Sequence, residues 1–177
     1  MSAAREVTPN ELNAAVAAEL KKNEKIKAPA WVLIVKASSH NERVPEQEDY
    51  WFVKCAALLR TIGLAEAPVG VQRLRHKYGG RTQHTVARSH HRKAGGKTIR
   101  LALQQLEAAG FVKKDKTGRV IAPAGMSLLD KTAAKVQGKN AEAKPKENLQ
   151  SVKPEKKEVE AKAKEQPQET ATPETKA

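Results

Sequence analysis

From Gly70 to Gln105 the chain carries Arg73, Arg75, Lys77, Arg81, Arg88, Arg92, Lys93, Lys97 and Arg100, with neither Asp nor Glu among them. A solvated protein face ordinarily interleaves both signs. Nine cations without one acid repel each other unless an anion sits between them. Six of the nine are arginines, whose planar fork donates paired hydrogen bonds to phosphate and whose face stacks on bases. His76, His84, His90 and His91 lie in the same span. Gly79, Gly80, Gly95 and Gly96 let a backbone come close to phosphate oxygens. A helix opening at Lys97 and Thr98 would add unpaired amides as one more anion site. Residues 79–97 contain little that can form a core, so a bound polyanion is expected to hold that loop in shape. The chemistry implied is non-covalent capture of a phosphate polymer.

Three other chemistries lack their parts. Gly96-Lys97-Thr98 ends like a nucleotide-binding P-loop, but that motif needs a glycine five residues before Gly96, where His91 stands. The spacing of His76, His84, His90 and His91, with Cys55 far away, fits no common zinc site, so no metal is expected. Ser38, Ser39, His40 and Glu42 include the residue types of a hydrolase triad, but they crowd one loop without a nucleophile elbow. A capping or surface role is expected for them. No paired acid and base sits in an apolar context, so no enzymatic activity, cofactor or small-molecule substrate is expected.

The elements that would position the basic span can be read from periodicity. Thr8-Pro9-Asn10-Glu11 has the form of a capping box, with Pro9 at the first helical position. Leu12, Val16 and Leu20 then mark one face of a helix ending near Lys22. Pro29 is expected to open a short second helix, Ala30 to Lys36, with Trp31, Ile34 and Val35 inward. Glu46 to Ile62 reads as a third, its acidic first turn suiting the positive helix end and Phe52, Cys55, Leu59 and Ile62 forming its core face. Val69 to Tyr78 is a fourth, with Val71 and Leu74 inward and Arg73, Arg75 and Lys77 outward. Thr98 to Ala109 is a fifth, closed by Gly110 in a left-handed cap. Phe111–Lys114 and Arg119–Ala122 flank a Gly-containing turn and predict a hairpin. Pro123 starts a last helix to about Val136. The fold class expected is mainly α: a winged-helix-like helical domain with one small β-hairpin and a disordered C-terminal tail.

Composition places the boundary. The 177 residues carry 33 Lys and Arg against 20 Asp and Glu, a net charge of +13. From Lys131 on there are 11 Lys, 8 Glu, no Arg, no Asp and no aromatic residue. Such a segment buries too little apolar surface to offset a backbone entropy of roughly 1–2 kcal/mol per residue. Residues 1–137 are therefore expected to fold and 138–177 to be disordered. The tail from Lys131 is only +3, whereas residues 1–130 hold 22 basic against 12 acidic residues. The asymmetry thus belongs to the folded part, which points to a polyanionic partner. Cys55 alone forms no internal disulfide, which suits a reducing compartment, and its apolar neighbours make it a core residue. The first residues lack the apolar block of a signal peptide, and no stretch approaches the roughly 20 apolar residues of a membrane span.

Several short motifs, in order, resemble the eukaryotic and archaeal small-subunit ribosomal protein family numbered nineteen. They are Lys21-Lys22 with Pro29-Ala30-Trp31-Val32 and Val35-Lys36; Pro45 with Asp49-Tyr50-Trp51-Phe52; Gly70-Val71 with Tyr78-Gly79-Gly80-Arg81; and Ser89-His90. Leu103-Gln104-Gln105-Leu106-Glu107 after Arg100, and Gly118-Arg119, Pro123, Gly125 and Leu129-Asp130, complete the set. The resemblance covers about Thr8 to Ala134. It implies a helical winged-helix-like domain embedded in ribosomal RNA of the subunit head and needed for maturation of that RNA. The partners implied are small-subunit ribosomal RNA and neighbouring small-subunit proteins, with no membrane. The location implied is the cytoplasmic ribosome, reached through the nucleolus in a eukaryote. The RNA-binding positions it implies are Tyr78, Gly79, Gly80, Arg81, Ser89, His90 and Arg100. Charge alone adds Arg73, Arg75, Arg88, Arg92, Lys93 and Lys97. Two departures stand out: Ile62–Ala67 lacks the arginine of the family's Gly-rich stretch, and Arg88 replaces the proline before Ser-His. The alternative class is a winged-helix DNA-binding regulator.

Overall fold

The computed structural model describes residues 3–82, 86 and 88–143, with the side chains of 139–143 left aside. After a short 3-10 turn, Ala3–Arg5, the order is α1 (Pro9–Leu20), α2 (Tyr50–Gly63), α3 (Val71–Lys77), β1 (Gly80–Arg81), β2 (His91–Arg92), α4 (Gly96–Ala108), β3 (Val112–Lys114), β4 (Arg119–Ile121) and α5 (Pro123–Ala143). α2 is the central element. α1, α4 and β4 all pack on it, and α3 leans on α4. Leu12, Val16 and Leu20 from α1 meet the face of α2 made by Trp51, Cys55, Leu58, Leu59 and Ile62, all buried. α4 closes the core with Ile99, Ala102, Leu103 and Leu106, and α5 adds Leu129 and Ala133.

Cys55, Leu59 and Ile62 form the buried face of α2 as expected, but its aromatic member differs. The fully buried aromatic ring is Trp51, not Phe52, which is half-buried. Trp51 also solves the problem of its polar edge: its Nε1 donates to Gln105 Oε1 at 2.8 Å, and Gln105 Nε2 donates onward to the Lys27 carbonyl at 2.8 Å. A buried indole N–H left without a partner would cost about 1–3 kcal/mol. The helix begins at Tyr50, four residues later than the acidic run suggests, with Asp49 as its N-cap residue.

The expected second helix is absent. Pro29 to Val35 closes only single turns, through Val32 N–H to Pro29 O and the amides of Ile34 and Val35 to Trp31 O. Of its supposed core face, Ile34 and Val35 are exposed and Trp31 is half-buried; Val32 is the residue that goes inside. At the first helix, Pro9 stands at the opening as expected, but the Thr8 side chain makes no capping bond.

β3 and β4 pair antiparallel, Val112 opposite Ile121 and Lys114 opposite Arg119, as the hairpin pattern requires. The cap before them has the expected geometry: Gly110 has φ +81° and Phe111 N–H reaches back to Leu106 O. Gly125 at the start of α5 leaves room for the Phe111 carbonyl. α5 continues to Ala143, past residue 137. The remainder of the expected disordered tail, residues 144–177, lies outside the described residues.

A second two-stranded ladder, absent from the expected fold, stands between α3 and α4. Gly80 pairs with Arg92 and Arg81 with His91. The span expected to be an irregular loop is thus an arm with a paired root.

Candidate nucleic-acid interface

The arm is anchored from below by α3. The Ala94 amide donates to the Arg75 carbonyl at 2.8 Å, and Arg75 Nε donates back to the Ala94 carbonyl at 3.0 Å. Ala94 is buried at this junction. Arg75 is therefore half-buried and committed to the fold, unlike its neighbours Arg73 and Lys77, which are exposed.

The arm's root is also gripped from the side by the residues that resembled a hydrolase triad. Ser38 Oγ donates to the Lys93 carbonyl at 3.1 Å and lies 2.8 Å from His40 Nδ1. A hydroxyl has one proton; given to Lys93, it leaves His40 Nδ1 as the donor to Ser38. The other edge of the His40 ring lies under Gly80, so close that a Cβ there would sit 2.9 Å from Cδ2. Gly95, just before α4, accepts the same closeness: its amide donates to the Ala37 carbonyl at 3.1 Å, and a Cβ would stand 2.7 Å from that oxygen. A Cβ on Gly79 would overlap the Arg92 carbonyl. The close approach that these glycines permit is to the protein's own atoms, backbone at Gly79 and Gly95 and the His40 ring at Gly80. The arm's root is thus fastened to the rest of the fold by contacts within the protein.

Tyr78 is likewise occupied. Its hydroxyl lies 2.9 Å from Thr61 Oγ1, and the Lys54 ammonium sits 3.8 Å from its ring centroid. Burial pushes the Tyr78 hydroxyl pKa up, with the Thr61 hydrogen bond opposing. Burial also brings the Lys54 ammonium down to about 8. Tyr78 thus joins α3 to α2 and underlies the arm. His76 on α3 stacks on His91 of β2 at 4.4 Å between ring centres, a further tie.

What is left outward is a run of cations. Arg73, Arg81, Arg88, Arg92, Lys93, Lys97 and Arg100 are exposed, as are Ser89 and His90. Among the described residues, none of the nine basic residues of 70–105 is in an ion pair; the pairs that form, such as Arg119 to Glu107 at 2.7 Å, lie elsewhere. Arg81, Arg88, Ser89, His90, Arg92 and Lys93 belong to the arm, with Gln83, His84, Thr85 and Ala87 outside the described residues. Lys97 and Arg100 stand on the first turns of α4. Arg73 lies on α3 at the mouth of a small cleft with Thr61 and Lys77. The thirteen expected site residues therefore divide. Arg75, Tyr78, Gly79 and Gly80 build and seat the arm, and the other nine face outward. Sequence reasoning missed Ser38, His40, Lys54 and Thr61 as positioning residues, because their partners are 17 to 55 residues away or on another element. No group of His, Cys, Asp and Glu able to hold a metal occurs among the described residues. Nor does any described helix have the length and apolarity to cross a membrane. Cys55 is buried, and burial pushes its thiol up to about 12, which leaves it a protonated core residue.

A three-helix core with a β3–β4 hairpin as wing defines a winged-helix-like domain, here with a basic arm inserted between α3 and α4. Sequence comparison is specific within that class: the family model described as ribosomal protein S19e matches residues 3–139, and the chain belongs to that family. Similar proteins include the small ribosomal subunit protein eS19 of Aeropyrum pernix, 42% identical over 144 residues, covering 80% of this chain and 94% of the relative. The eS19 of Haloarcula marismortui is 41% identical over 138 residues, 75% of this chain and 90% of its own length. That of Mya arenaria is 36% identical over 143 residues, 80% of this chain and 95% of its own length.

Proposed function

We propose that this chain is a structural constituent of the small ribosomal subunit, binding ribosomal RNA through the arm and the opening of α4, and supporting maturation of that RNA and subunit assembly. The observation that carries the reading is the set of outward cations on one acid-free segment, none paired with an acid among the described residues. Charges so placed are neutralised by phosphates, whose contacts fix register without reading sequence. Irregular RNA suits an arm with a paired root and exposed cations such as Arg81, Arg88 and Arg92. The relatives are named as small-subunit proteins, which supports that subunit's RNA and its neighbouring proteins as the partners. The working location is the cytoplasmic ribosome, with nucleolar passage if the cell has a nucleolus. No catalytic step, cofactor, membrane or small-molecule substrate enters this function. A DNA-binding regulator of winged-helix type joins its helices by a short turn; here the arm fills that place.

Charge reversal tests the assignment. Arg81→Glu and Arg100→Glu, both surface changes, are expected to deplete the protein from small subunits isolated in high salt while its thermal transition stays in place. Normal incorporation of both variants would overturn the arm's role. Tight, salt-resistant binding to one duplex DNA site, without ribosomal association, would overturn the ribosomal reading itself.

A further inference from the structure

A cleft of about 580 Å³ opens between the turn at 31–39 and the start of α4, lined by Trp31, Val35, Lys36, Gly95, Lys97 and Thr98 among others, with no acidic residue in its wall. That volume is within the usual range for small-molecule sites, roughly 300–1,000 Å³. One wall is apolar: Trp31 is half-buried, and Val35 remains 52% exposed. Trp31 is held edge-on against Trp51 at 6.5 Å, so its ring orientation is set by the core. The Lys97 ammonium sits 5.0 Å from the Trp31 ring centroid. It marks a π face with a cation already beside it.

The opposite wall is polar and basic. The first amides of α4 have no carbonyl one turn back to bond, and no side chain caps them. Thr98 is only 9% exposed, lines the cleft, and its hydroxyl has no hydrogen-bond partner among the described residues. Arg75 and Arg100 flank Gly96, each 3.4 Å from where its Cβ would stand. A side chain at Gly96 would crowd both.

We propose that this cleft takes one unpaired nucleotide of an RNA strand. Its base lies against Trp31 and Val35. Its phosphate is received by the α4 amides, the Thr98 hydroxyl and the Lys97 ammonium, which leaves the indole face when the base arrives. Lys36 and Arg100 stand where the flanking phosphates pass. An apolar wall facing a basic, amide-rich wall fits a nucleotide, which has an apolar face and an anion on one unit. It fits an inserted apolar side chain of another protein less well, because that would leave Thr98 and the amides without partners. The inference rests on the RNA-binding reading above and adds a base-accepting site to it.

The test uses the full chain and follows the Trp31 indole N–H and the amides of residues 96–98 by NMR. The probes are a six-residue adenosine oligoribonucleotide, adenosine monophosphate, adenosine, inorganic phosphate and an acidic leucine-rich peptide. The oligonucleotide and the monophosphate are expected to shift both sets of signals, the oligonucleotide the more tightly. Adenosine and phosphate should bind at least ten-fold more weakly than the monophosphate. Lys36→Glu, on the exposed rim, and Thr98→Val should each weaken the monophosphate several-fold with the fold intact. Phosphate saturating the amides as tightly as the monophosphate, or the peptide alone shifting Trp31, would overturn the proposal. So would silence at Trp31 with the oligonucleotide, at concentrations where a structured RNA already binds in an Arg81-dependent way; in that outcome the RNA-binding reading stands. Absence of any RNA binding sinks both.

Discussion

The face shared by α1, α2 and α4 and the arm between α3 and α4 are built on opposite terms. In the first, apolar side chains at helical spacing vanish from solvent, and the polar edge of the buried indole, Trp51 Nε1, finds an internal acceptor. In the second, backbone hydrogen bonds, glycines and two half-buried side chains, Arg75 and His40, hold a root whose outward charges are all positive. The core is stabilised by what it removes from water. The arm is positioned by what it fastens to the core, and its charges are left for something else. Stability and binding should therefore be separable by mutation.

The sharpest break of that comparison is in α2. Trp51→Ala empties a fully buried site and strands Gln105, and is expected to cost about 3–5 kcal/mol in chemical denaturation. Phe52→Ala, one residue along but half-buried, should cost about 1–2 kcal/mol. Equal losses would mean that the burial difference between the two rings does not govern this face. Gly79→Ala is the next largest: the new methyl overlaps the Arg92 carbonyl and should cost about 1–3 kcal/mol, with the loss of amide protection concentrated at β1 and β2 in hydrogen exchange. A uniform loss across α2 and α4 would deny that the arm is a separate unit.

Lys54, at the join, gives a smaller and pH-dependent effect. Its folded pKa is about 8, lowered by burial from 10.5. Between those values the unfolded chain binds the extra proton, so this group's contribution to stability rises with pH. Its burial penalty is fully present below about pH 8 and is relieved by about pH 10.5. The stability of the natural protein relative to Lys54→Met should climb across that window; a flat difference would place the ammonium in ordinary solvent. Smallest of all, Arg81→Glu and Arg100→Glu should change unfolding free energy by less than about 0.5 kcal/mol, while affinity for small-subunit RNA falls and its salt dependence flattens.

What the sequence made legible follows the same division. Gly110, the β3–β4 hairpin and the apolar stripe of α1 are local signals, each contained within a dozen residues, and each stands where expected. The choice between Trp51 and Phe52 is not local. Both lie on the apolar side of α2, and Gln105 Oε1 on another helix is what lets the indole go inside. The turn at 29–35 looked helical because Trp31, Ile34 and Val35 are spaced like a face, yet nothing packs over Ile34, which remains 76% exposed. The β1–β2 ladder is two residues long on each side and polar throughout, so it leaves no alternation to read. Its anchors, Ser38 to Lys93 and Ala94 to Arg75, join distant segments. The charge that marks the candidate site is visible in one line of sequence; the carpentry beneath it is not.

The two-way exchange between Arg75 and Ala94 has a mechanical consequence. Because one residue of α3 both gives to and receives from the arm's base, a change that moves Arg75 disturbs both contacts at once. Tyr78 and Thr61 tie the same helix end to α2. The end of α3 is therefore a shared hinge plate: the arm and the central helix are hung on it from opposite sides of one short turn.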